Sequence, residues 1–111
     1  MKLGKKLTKA IEAADFAIYQ EDENCYRFGK YSSKGQDFSF CIDTEGDINL
    51  FMYNILNYYN DFDVSEEAYL WLDESGHGTN GAPYDMRDLY NDMEECQGFI
   101  LELYEIVREF C

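Results

Sequence analysis

The chain is short of the residues that usually carry chemistry. It has one histidine, His77, in 111 residues, so a zinc site of the common Cys/His kind would have to recruit nearly every candidate ligand at once. Its four cysteines, Cys25, Cys41, Cys96 and Cys111, never fall at C-x-x-C spacing. Reduced thiols are therefore expected, with no metal and no cofactor. The single proline, Pro83, leaves no room for a Pro-rich linker. No run of about 18 apolar residues exists to span a membrane. The first ten residues are not backed by the roughly 7-to-15-residue apolar stretch of a secretory signal, so a cytoplasmic location is the default expectation. Basic residues are also scarce: 9 Lys and Arg stand against 23 Asp and Glu, a formal net charge of −14. Such a field opposes direct binding to DNA, RNA or an anionic membrane, and favours cations or basic protein surfaces as partners.

The shortage of positive charge is uneven, because Lys2, Lys5, Lys6 and Lys9 all lie in the first ten residues, where there is no acid. What the chain has in plenty is aromatic surface, ten Tyr and eight Phe. With 46% apolar residues, that composition fits a folded globule rather than an acidic disordered tail. The length suits one domain, residues 1–111, with one core.

Residues 2–14 place Leu3, Leu7, Ala10, Ile11 and Ala14 at three- and four-residue spacing, which predicts a helix with lysines on its other face. Three runs rich in aromatic and β-branched residues follow, at 16–21, 25–31 and 36–42, and read as an antiparallel meander. A three-residue loop pairing Tyr31 with Gly35 would set Phe28 opposite Phe38, Tyr26 opposite Phe40 and Cys25 opposite Cys41. An even-length loop would scatter the aromatics over both faces. The segment 43–47, "DTEGD", supplies turn and cap chemistry for a helix over 47–60. Asp63 with Glu66 resembles a capping box for a short helix ending near Glu74. From residue 84 to about 110, Met86, Leu89, Met93, Cys96, Ile100, Leu103, Val107 and Phe110 form a heptad seam. The predicted fold is α+β: an N-terminal helix, a three-stranded antiparallel sheet, then three helices packed on it, the last one long.

"GHGTNG" at 76–81 matches G-x-G-x-x-G, but no buried strand feeds it and no βαβ unit encloses it. A connector between two helices, capped by Gly76 and restarted at Pro83, fits better than a phosphate cradle. His77 lacks a nucleophile motif beside it, so an exposed loop histidine is preferred over a catalytic one. Neither "DTEGD" nor "DESGHGTNG" has the ligand pattern of a calcium loop. An opposed Cys25 and Cys41 could form a redox-sensitive pair or an accidental metal site, with small buried thiols the commoner outcome. The feature that stands out is on the last helix, where Asp88, Glu95, Glu102 and Glu109 recur every seven residues, joined by Asp85 and Asp92. Carboxylates at such spacing on a rigid helix can imitate a phosphate backbone in a basic groove, the alternative being the solvated back of an amphipathic helix.

Two resemblances accompany this pattern. The segment from Phe62 to Glu66, the loop Gly76 to Gly81, and Arg87, Leu89 and Asp92 resemble the C-terminal half of small acidic uncharacterised proteins of phage and mobile elements of gut Firmicutes. The order helix, three strands, helices and the run "LYNDM" (Leu89 to Met93) resemble acidic DNA-mimic anti-CRISPR proteins. The second resemblance implies an inhibitor that occupies the DNA-reading surface of a nuclease. The expectation is thus a non-enzymatic acidic binding protein, acting on a basic nucleic-acid-binding protein through Asp85, Asp88, Asp92, Glu95, Glu102 and Glu109. The alternative is an interaction module, monomer or weak homodimer, that self-associates through seam residues such as Ile100 and Phe110.

Overall fold

The computed structural model describes residues 2–33, 35–70 and 86–111, the side chains of Tyr69, Leu70 and Met86 excepted. In chain order the elements are α1 (Lys5–Ala13), β1 (Ala17–Gln20), β2 (Cys25–Tyr31), β3 (Asp37–Asp43), α2 (Ile48–Asp61), α3 (Val64–Leu70) and α4 (Met86–Arg108). The strands form one antiparallel sheet in the order β1-β2-β3. This is the expected α+β arrangement, with a long C-terminal helix. The Gly-rich segment 76–81, His77, Pro83 and Asp85 lie outside the described residues.

Helix α1 begins later than its periodicity suggests. Gly4 occupies the N-cap in extended conformation with no side-chain cap, and Lys5 and Lys6 put positive charge where the helix dipole disfavours it. Its hold on the molecule comes from Leu7 and Ile11, both buried. Helix α2 is better founded. The Asp47 carboxylate accepts the Asn49 and Leu50 amide hydrogens at 2.7 and 3.2 Å, after a turn in which Glu45 and Gly46 have φ of 50° and 74°. At α3, the Asp63 carboxylate accepts from the Glu66 amide at 3.2 Å, the first half of a capping box.

The strand register differs from the expected one by two residues. Phe28 pairs with Phe40, Tyr26 with Ile42, Lys30 with Phe38 and Tyr31 with Asp37, while Cys25 faces Asp43 and Cys41 faces Arg27. The loop keeps an odd length, so every side chain stays on its expected face. The shift arises because Ser32 and Gln36 bond each other outside the ladder. The Ser32 amide donates to the Gln36 carbonyl at 2.9 Å, and the Gln36 amide donates to Ser32 Oγ at 3.0 Å. Gly35, at φ 90°, closes the turn with a 2.9 Å bond to the Ser32 carbonyl.

One face of the sheet is buried. Tyr26, Phe28, Phe38, Phe40 and Ile42 join Phe51 and Ile55 of α2 and Phe62 in a single core. Phe28 stacks on Phe51 with centroids 5.9 Å apart, Phe40 on Tyr58 at 5.4 Å, and Phe38 meets Phe62 edge to face. Helix α4 closes the core, packed against α2, α3 and α1. Leu89, Met93, Cys96, Ile100, Leu103 and Val107 are fully buried along its seam. Ile100 is therefore part of the intramolecular core and not available for self-association, whereas Phe110, past the end of the helix, is 39% exposed. Burial pushes the Cys96 thiol far up, with Asp92 and Glu95 adding to the effect, so it stays protonated and behaves as a small apolar side chain.

Candidate functional site

The acidic residues of α4 do not share one solvent-facing back. Asp92 is buried, at 2% exposure. Glu95 faces the β2–β3 loop, its Oε1 accepting from the Ser33 amide at 2.9 Å and from Ser33 Oγ at 3.0 Å. Glu102 Oε1 lies 2.7 Å from Lys30 Nζ. Asp88 is half-buried and Glu109 exposed. The physical reason is a second packed flank on the helix. Asp92, Phe99 and Ile106 also recur every seven residues, and Phe99 and Ile106 pack against the core. The buried arc is thus wider than the seam alone, and Glu95 and Glu102 fall at its margin. That flank was present in the sequence as Phe99 and Ile106. The residues that do face solvent on α4 include Arg87, Asn91, Glu94, Gly98, Glu105 and Arg108.

Lys30 explains why Glu102 is held inward. It sits on β2 with the parity of the core face, opposite Phe38. Its ammonium lies 5.0 Å from the Phe16 ring centroid and 4.8 Å from that of Phe99, capped by the Glu102 carboxylate. A charge so placed is tolerated because two π-faces and one carboxylate replace its hydration.

Among the described residues, two acidic surfaces remain open. The first is a concavity of about 380 Å³ between α1 and α4. Ala10, Ala13 and Ala14 form one wall, Ile106 and Phe110 the other, and Glu102, Glu105 and Glu109 supply carboxylates. The small alanines leave the gap, and α4's acidic last turns charge it. The second surface is one end of the sheet, where Thr44 donates to the Asn24 carbonyl at 2.8 Å and so joins the β1–β2 and β3–α2 turns. Glu21, Asp22, Glu23, Asp43, Glu45 and Asp47 are all exposed there. Sequence reasoning weighed Asp43, Glu45 and Asp47 as turn and cap chemistry and as a rejected calcium loop, and did not single out Glu21, Asp22, Glu23 or Glu105, which look like ordinary turn or helix residues. Most do have local work: Asp22 accepts the Asn24 and Cys25 amides, Asp43 the Glu45 amide, and Glu21 holds Arg27 at 2.7 Å.

Among the described residues, no group of three or more His, Cys, Asp or Glu could hold a metal ion, and no helix is long and apolar enough to cross a membrane. No family model, curated protein or solved structure matches this chain.

Proposed function

We propose that the protein is a small acidic, non-enzymatic binding protein that docks on the basic surface of a nucleic-acid-binding protein. Its role would be that of a nucleic-acid-mimic inhibitor of the anti-CRISPR or anti-restriction type, carried by a mobile element and acting in the cytoplasm. The observation that carries this reading is the groove between α1 and α4. Its lining combines apolar Ala10, Ala13, Ala14, Ile106 and Phe110 with the carboxylates Glu105 and Glu109 and the Lys30-paired Glu102, on a chain with a formal charge of −14. Apolar lining supplies burial and the carboxylates supply steering and register, which is how polar interfaces gain specificity and on-rate. Among the column residues, Glu109 is the one left exposed for contact, whereas Glu95 and Glu102 are shared with internal partners.

The test is capture from a host lysate at low and at high salt, followed by titration of the captured protein. Affinity should fall steeply with salt. The double variant Glu105→Lys, Glu109→Lys should weaken it at least tenfold without unfolding the chain. Binding that ignores both salt and this charge reversal would end the proposal.

A further inference from the structure

The face of the sheet turned away from the core carries Cys25, Arg27 and Gly29 on β2, with Asp43, Cys41 and Ser39 opposite them on β3. Cys25 and Cys41 are therefore diagonal neighbours on one uncovered face, each half-buried. They are also electrostatic neighbours: burial pushes the Cys25 thiol up first, and the Cys41 thiol adds to it. Diagonal residues of an antiparallel pair lie about 7–8 Å apart at Cα, whereas a disulfide sits most easily at about 4.4–6.8 Å. A diagonal pairing thus disfavours a direct S–S bond, whereas the two thiols already lie within side-chain hydrogen-bond reach of each other, close enough for a single bridging atom.

We propose that Cys25 and Cys41 form a two-thiolate binding site for a soft monovalent cation of the copper(I) class. Thiolate sulfur selects such ions over hard ones. Zinc would want four ligands, and no third His, Cys, Asp or Glu completes a metal-holding group among the described residues. Copper(I) is satisfied by two sulfurs. On binding, two S–H bonds break, both protons pass to the buffer, two Cu–S bonds form and no electron is transferred. The product has one net negative charge. Arg27 stands directly across from Cys41 and interacts electrostatically with both thiols, so it offsets part of that charge, while it also pairs with Glu21 at 2.7 Å and Asp22 and Asp43 act on Cys25 in the opposite sense. The site is separate from the groove and independent of the proposed docking function.

The reduced full chain is titrated anaerobically with copper(I) in the presence of bicinchoninate as a competing chelator. The wild type and Cys111→Ser should each withdraw one equivalent from the chelator, since Cys111 is the exposed thiol outside the site. Cys25→Ser and Cys41→Ser should each lose at least tenfold in competition. Either of these two competing as well as the wild type, or Cys111→Ser losing the ion, would overturn the assignment. A second measurement needs no variant. One equivalent of copper(I) should protect Cys25 and Cys41 together from iodoacetamide, read by peptide mapping. Equal labelling of the two with and without the ion would refute the site.

Discussion

Alternate residues of the same three strands live in opposite environments. Inward, Tyr26, Phe28, Phe38, Phe40 and Ile42 are at most 5% exposed, and the four rings among them contact each other or α2. Outward, Tyr19 and Tyr31 are 61% and 68% exposed, and the rest of that face is Ala17, Cys25, Arg27, Gly29, Asp37, Ser39, Cys41 and Asp43. The strand period of two assigns stability to one set and leaves the other free for chemistry. The largest expected effect follows from this division. Phe28→Ala should cost about 3–5 kcal/mol in urea unfolding, as a buried ring with a rigid surround does. Tyr31→Ala should stay within about 0.5 kcal/mol of wild type. Comparable losses at the two positions would mean that the outer face is also packed, and the contrast would collapse.

Lys30 breaks the division from within, being a cation on the core-side parity. Its neighbours make it an integral part of the core edge: Phe16 and Phe99 flank it and Glu102 pairs with it. Lys30→Ala should lose about 1–2 kcal/mol, chiefly from lost cation–π contact and stem packing, since solvent takes over much of the Glu102 pairing. Lys30→Met keeps the stem that packs between the rings and should lose less. Glu102→Gln should cost under about 1 kcal/mol, because that carboxylate is 43% exposed and solvent replaces much of the pairing. If alanine and methionine at position 30 are equally destabilising, the stem contributes nothing and the charge alone matters.

How far these two faces could be read beforehand depends on what periodicity encodes. The choice of an odd β2–β3 loop followed from keeping Tyr26, Phe28, Phe38 and Phe40 together, and the structure keeps them together. The pairing itself was off by two, because the Ser32–Gln36 closure is set by hydrogen bonds that no apolar pattern reports. The seam from Leu89 to Val107 was legible for the same reason as the sheet: its residues repeat and are all buried. The acidic column was legible only as spacing. Whether a carboxylate at such a position faces water depends on what lies beside the helix, and Ser33 and Lys30 come from strands and loops some sixty and seventy residues away. Left-handed Asp15 and Glu45 were also hidden, since Glu gives no sign of a positive φ and Asp, though enriched there, adopts it far less readily than glycine does.

Smaller effects test the frame that presents the two faces. Asp47→Ala removes the side-chain acceptor for two amide hydrogens at the start of α2, the helix that covers the inner face, and should cost about 1 kcal/mol. The urea midpoint reads it, and no change would mean that water caps the helix equally well.

The smallest effect should run the other way. Gly29 lies in the middle of β2 on the outer face, on the floor of a trough of about 320 Å³ between Tyr19 and Tyr31. A Cβ there would meet the Phe38 carbonyl oxygen and Ser39 Cβ, each at 3.7 Å, which is ordinary contact. The backbone needs no left-handed conformation at this position, so the glycine contributes only extra freedom to the unfolded chain. Gly29→Ala should therefore raise stability by about 0.5 kcal/mol, seen as a small increase in the urea midpoint at unchanged slope. A loss instead would show that something already occupies the space above Gly29, and that the outer face is closed in solution.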